Sequence, residues 1–469
     1  MRSAPAALTS ARPAAARAAG AITGFTQPRT VVVALGVQVI VALLTRNSSA
    51  TATAIAMGVL AAAAAIVLTT RRLDLVAVVA GYIAGSEVLW RMTNAAVFWQ
   101  ASEYAVSAVL GIAALRLIPR WRHTALPLAY LAAFIPGIAL SWLVLGTSGA
   151  RDAVSFNVSV PIALATSVVF FAQVRTSVSA LRNVLWATLL PIVSIALLAT
   201  VSTASTAAIQ FTQESNFAAS GGFGPNQVSA ALGFGAVAAF LLAYTETDAR
   251  LRLIEGGLGL WFLAQAMLTF SRGGVLNAVV AIVLVLLVMA RDLRSSARHI
   301  VIVIAVFALI GYGLYPRLDQ FTGNQLGTRF TDTTTTKRND IASGDLSIFS
   351  DHPWVGAGIG LSDTERPGSP DSHSGKAVAA HTEYTRLLAE QGLFGIAALF
   401  FLAAIVFGAF RRAMAVLPKV FVVALSAWSL TDMTHAATRV ALVGFAIGLA
   451  VAASRLIADG QPAPVATTA

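Results

Sequence analysis

Apolar runs of about 18 or more residues recur along nearly the whole chain, each parted from the next by a shorter polar stretch. They centre on residues 31–44, 53–68, 73–89, 104–117, 126–145, 154–174, 184–201, 228–244, 253–270, 275–290, 300–314, 394–410, 420–430 and 440–453. A helix rising about 1.5 Å per residue needs about 20 residues to cross the roughly 30 Å hydrocarbon core. The short alternating segments of a membrane barrel do not occur. The pattern predicts an all-α fold, a polytopic transmembrane helical bundle of about 14 spans, interrupted by one long polar loop over 316–392 that contains short helices.

Composition agrees with this pattern. Of 469 residues, 57% are hydrophobic and only 11% charged, against roughly 25% charged in soluble domains, and the mean hydropathy is +0.76. The absence of cysteine excludes disulfides and thiolate metal sites. A net charge of +11 would suit a nucleic-acid binder. The basic residues, however, lie scattered through short inter-span loops, and no nucleic-acid partner is expected.

Those loops also set the topology. With the N-terminus inside, every second loop is rich in arginine: Arg71 and Arg72; Arg116, Arg120 and Arg122; Arg175 and Arg182; Arg250 and Arg252; Arg291, Arg294 and Arg298; Arg411, Arg412 and Lys419. About 20 of the 32 basic residues fall on that side, the cytoplasmic side by the positive-inside rule. The expected organisation is a disordered cytoplasmic tail (1–28), a bundle of about 11 spans (29–315), an extracytoplasmic loop (316–392), three further spans (393–456) and a cytoplasmic tail (457–469). The protein is expected in a bacterial cytoplasmic membrane with both termini inside.

Three polar features then face outward: the glycine-rich GGFGPN (221–226), the SRGG turn (271–274) and the long loop. Arg272 opens a helix beside Ser271, Gly273 and Gly274. Amides at a helix N-terminus attract anions, and glycine permits close approach of a ligand. Arg338, next to Lys337 in the loop, supplies a second permanent cation, and the guanidinium fork suits phosphate oxygens. A two-cation diphosphate grip is the expectation. His352, His373, His381 and His435 are placed outside. His381 opens HTEYTRLLAEQGLFG, where Tyr384, Leu387, Leu388 and Gln391 fall at helical spacing before Gly392. A histidine at a helix N-terminus is biased toward the neutral, proton-accepting form. Glu87, Arg91 and Glu103 form either a self-neutralising cluster or, with Trp90 and Trp99, part of a cavity wall. Asn226, Arg91 and Tyr384 join Ser271, Gly273 and Gly274 as candidate substrate contacts. No metal-ligand motif, resident cofactor or nucleotide-binding loop is expected.

The FSRGG turn, Arg338 some ten residues before DHPWVGAG, the run from His381 through Gly392 to Gly395, and GGFGPNQVSAALGFG together resemble the O-antigen ligase/polymerase family of bacterial membrane glycosyltransferases. The resemblance is strongest over 221–395. Thr382 stands where that family usually has Asn or Ser, and it keeps a hydroxyl. The resemblance implies metal-independent transfer of a glycan from a polyprenyl diphosphate donor to a hydroxyl of a glycan or other acceptor, with membrane lipids as surroundings. It also implies that Arg272 and Arg338 hold the diphosphate, and that His381 acts as base or positions the acceptor. The rival readings are a secondary transporter or polysaccharide flippase and, behind it, a scaffold whose loop binds an assembly partner.

Overall fold

The computed structural model describes residues 24–25, 27–117, 121–205, 209–331, 338–366, 382–435 and 440–457. Among them the protein is all-α and forms no strand beyond one isolated bridge between Ser177 and Ile457. The helices before the long loop are α1 (Pro28–Asn47), α2 (Ser49–Thr69), α3 (Leu73–Met92), α4 (Ala101–Leu115), α5 (Trp121–Ala132), α6 (Ile135–Phe171), α7 (Val178–Ser205), α8 (Pro225–Thr245), α9 (Ala249–Leu268), α10 (Arg272–Met289) and α11 (Leu293–Ala308). A π-helical turn, Leu309–Leu314, carries α11 into α12 (Tyr315–Phe321). The loop adds α13 (Gln325–Thr331), α14 (Arg338–Asp351), α15 (Ser362–Glu365) and α16 (Glu383–Gln391). The chain returns through α17 (Leu393–Arg412), α18 (Val416–Asp432) and α19 (Ala441–Ala453).

Each of the fourteen expected centres falls on a helix, but among the described residues ten helical stretches are long and apolar enough to cross a membrane. The difference arises where helices are short or joined. α4, α18 and α19, of 15, 17 and 13 residues, are too short, and 124–171 runs as one helical stretch. Gly146, with φ 67°, breaks that stretch into two limbs where two separate spans are expected.

The bundle has a buried centre and a lipid-facing shell. Within α7, 83% of the most apolar window is buried, against 6% for the stretch through α11 and α12. In lipid the hydrophobic effect cannot drive apolar helices together, so they associate by close packing and polar contacts. Gly233 of α8 meets Gly274 of α10 backbone to backbone, and a Cβ on either would overlap the other helix. These two glycines fix the start of α10 against α8.

The loop is fastened to this scaffold at several points. Glu383 donates its amide to the Met433 carbonyl (2.9 Å), and the Tyr384 hydroxyl donates to the Leu430 carbonyl (3.0 Å), tying α16 to the end of α18. The segment after α14 turns back through Gly356, Gly358 and Gly360, all with positive φ. Its amides at Ala357 and Gly358 donate to the carbonyls of Ala389 and Glu390 at the end of α16.

Candidate functional site

The turn between α9 and α10 has a constrained shape. Phe270 is fully buried in the left-handed region, φ 57°, a conformation costing a non-glycine residue about 1–2 kcal/mol. Its ring stacks on Phe211 at 5.1 Å, and its carbonyl accepts from Arg329 Nε of α13 at 3.0 Å. Loop and bundle therefore hold the turn together. Ser271 follows as the residue capping α10, but its hydroxyl donates to Asn226 Oδ1 (2.8 Å) at the start of α8. The Ser229 hydroxyl donates to the Ser271 carbonyl (2.8 Å) and accepts from the Gly274 amide (3.2 Å).

This geometry changes the reading of the two glycines. The Gly274 amide is already satisfied by Ser229, and the missing side chain lets α8 approach. At Gly273 the space belongs to His435. A Cβ there would stand 2.6 Å from His435 Cε1 and 2.8 Å from Nδ1. Both glycines serve packing around the turn.

Arg272 is the first residue of α10 and Arg338 the first of α14. Arg338 is half-buried, and its proton affinity is lowered first by burial and then by the nearby Arg272 charge. The fold thus brings the two guanidiniums together from a span and from the loop, 66 residues apart in sequence. His435 joins them just past the end of α18. Its pKa falls to about 4, through burial and then the Arg338 charge. His435 Nε2 lies 2.7 Å from Asn277 Oδ1, and Asn277 Nδ2 donates to Asp432 Oδ1 at 2.7 Å. Asn277 and Asp432 are fully buried between α10 and α18.

The other expected residues sit as follows. Arg91 is buried and bridges Glu87 (2.6 Å) and Glu103 (3.0 Å). It also donates to Gln227 and to the Trp99 carbonyl, and stacks over the Trp99 ring at 4.4 Å. Glu87 in turn accepts the Ala441 amide (2.6 Å) at the start of α19. Both arrangements expected there form: the cluster joins α3, α4, α8 and α19, and Glu87, Trp90, Arg91 and Trp99 line a cavity of about 240 Å³. Asn226 and Tyr384 both hold backbone or side-chain partners near the turn, as given above. His381 and Lys337 lie outside the described residues. The sequence reading attached no role to His435, Asn277 or Asp432. The available signal was an asparagine within the 18-residue apolar α10, since polar side chains at that depth seldom go unused.

An apolar cavity of about 550 Å³ opens between α8, α9, α10 and α11. Near the turn it is walled by Met267, Val275 and Tyr315, and at the far end by Tyr244, Arg252, Arg298 and His299. Gly256 and Gly257 of α9 border it, and a side chain on either would meet open space.

Residues 257–400 match the family model described as O-Antigen ligase. This stretch, under a third of the chain, is similar to the O-antigen ligase domain. That likeness, together with the ten helices long and apolar enough to cross a membrane among the described residues, points to a multi-pass membrane protein of O-antigen ligase-like glycan assembly. The ligase-matching segment contains Ser271 to Gly274, Asn277, Arg338, His381 and Tyr384, and it leaves out Arg91, Asn226, Asp432 and His435. No curated protein matches the chain.

Proposed function

We propose that this protein transfers or polymerises a glycan from a polyprenyl diphosphate donor onto an acceptor hydroxyl at the outer face of the cytoplasmic membrane. The observation that carries this reading is the meeting of Arg272 and Arg338 at the boundary between bundle and loop. Two permanent cations forced together repel each other, and a dianionic bridge between them relieves that cost. In the transfer, the acceptor oxygen attacks the anomeric carbon, the bond from that carbon to the diphosphate oxygen breaks, and polyprenyl diphosphate leaves with the electron pair. Negative charge grows on the leaving group, where fixed guanidiniums stabilise it without reorganising. His381 acts as base or positions the acceptor. The apolar cavity, which begins one turn below Arg272 at Val275, takes the start of the polyprenyl tail.

The test is turnover by purified protein in liposomes supplied with a polyprenyl-diphosphate oligosaccharide and a glycan acceptor. Release of free polyprenyl diphosphate, undiminished by EDTA, is expected. Strict divalent-metal dependence would redirect the mechanism, and solute uptake without donor turnover would favour the transporter.

A further inference from the structure

The loop between α3 and α4 borders the smaller cavity, of about 240 Å³. That is less than the roughly 300–1,000 Å³ of pockets that enclose drug-sized ligands, and leaves room for one ring-sized group. Glu87, Trp90 and Arg91 form its buried side, and Asn94, Phe98 and Trp99 its exposed side. The loop backbone is satisfied from within. The amides of Asn94, Ala95 and Ala101 donate to the carbonyls of Arg91, Trp90 and Phe98, and the Ala96 amide donates to the Thr53 hydroxyl of α2. Asn94 holds a left-handed turn, φ 52°, which asparagine tolerates better than most residues. A rim already fixed in this way loses little freedom when it binds.

We propose that this cavity is a saccharide subsite, seating one sugar ring of the glycan that is transferred or extended. The proposal rests on the transfer reading above and deepens it. A sugar ring presents C–H groups on its faces and hydroxyls around its edge. The negative face of an aromatic ring attracts such C–H groups, and Phe98 and Trp99 stand at the rim. Hydroxyls need acceptors and donors, which the Glu87 carboxylate, the Arg91 guanidinium and the Asn94 amide supply. Charge argues against a phosphate here. Arg91 already meets Glu87 at 2.6 Å and Glu103 at 3.0 Å, so this wall has no surplus positive charge and suits an uncharged ligand. The place fits as well. Gln227 bonds Arg91, its neighbour Asn226 bonds Ser271 beside Arg272, and the Trp99 ring packs on Phe223 at 6.2 Å. The segment 223–227 therefore stands between this cavity and the two-arginine site, and a glycan reacting at that site can place a neighbouring sugar here. Exposed aromatics at the end of a span also serve as an interfacial belt, but a belt needs no buried carboxylate and arginine behind it.

Two substitutions on the exposed side test this. Phe98→Ala removes a rim ring, and Asn94→Gly removes the amide while glycine keeps the left-handed turn. In the liposome assay the polyprenyl-diphosphate oligosaccharide and the glycan acceptor are each titrated against a saturating amount of the other. Each variant should raise one KM by about three- to tenfold, the scale of one aromatic contact or one hydrogen bond. The kcat should change by less than about twofold, as the loss of ground-state binding requires. A raised donor KM assigns the ring to the donor glycan, and a raised acceptor KM assigns it to the acceptor. In a separate measurement, the lipid-free oligosaccharide released from the donor by mild acid, and the acceptor glycan, are titrated calorimetrically into each protein. The wild type should bind one of them at least about threefold more tightly than either variant does. KM values and affinities all within about twofold of wild type overturn the subsite. Lower membrane abundance or Tm in Phe98→Ala, with both KM values unchanged, makes the aromatic rim a membrane anchor and also overturns it. If the wild type releases no polyprenyl diphosphate the transfer reading falls, while the calorimetric titration still decides whether the cavity binds a sugar.

Discussion

The start of α8 touches two arginine sites, with Gln227 bonding Arg91 and Asn226 bonding Ser271 beside Arg272, and the two are built on opposite principles. Arg91 is bracketed by Glu87 and Glu103, shielded by Trp99, and linked through Gln227 to α8. Arg182, between Glu246 and Glu255, and Arg386, between Glu383 and Glu390, repeat that plan. In each, a buried cation meets two carboxylates; around Arg91 and Arg182 the pairs join helices, whereas both partners of Arg386 lie on α16 itself. Arg272 and Arg338 instead lie within range of each other's charge, and Arg338 within range of the His435 imidazole. A like-charge pair suits an anionic ligand, whereas carboxylates already sit against each bracketed arginine.

This contrast can be tested by substitution. Arg272→Ala or Arg338→Ala should lower glycan transfer by about 10²–10³-fold, the scale of losing one preorganised stabiliser of developing charge, while membrane abundance stays unchanged on immunoblots. Arg91→Ala should do the reverse at its root, removing about 3–5 kcal/mol of stability by orphaning buried carboxylates, seen as lost abundance and a lower Tm. If Arg91→Ala folds normally but cannot transfer, the division between joining and gripping arginines fails. Gly274→Ala should cost about 1–3 kcal/mol by overpacking, because its Cβ would overlap the Ser229 carbonyl. The smallest effect concerns His435, which feels the Arg338 charge and bonds Asn277, itself held by Asp432. Its NMR titration midpoint should lie well below the ordinary value of about 6.5, near pH 4. Adding inorganic diphosphate should raise it, since bound negative charge favours the imidazolium. A midpoint unmoved by diphosphate would argue against binding between the arginines.

Much of the scaffold was legible in the sequence because lipid imposes one rule on every span. Apolar runs marked the helices, and glycine marked the SRGG turn and the end of α16. Arg272 and Arg338 were legible because a permanent cation beside helix-start and turn signals stands out. What they share with His435 was not. Asn277 lies 155 residues from Asp432 and 158 from His435, and each has an unremarkable local setting. Only the packing of α10 on α18 brings them together. The same limit applied to Gly273 and Gly274, whose pattern suited ligand approach equally well as the close contacts that the fold makes. The single stretch over 124–171 hides a break that a hydropathy pattern reads as two spans, because Gly146 interrupts the backbone without adding polarity.

The bare α-carbon at position 273 offers an experimental handle. A methyl group there would push the imidazole aside while leaving both guanidiniums on their own helices. Measured for donor binding and turnover, such a protein would separate what the guanidiniums do from what the imidazole does. It would be a natural starting point for imaging the loaded state.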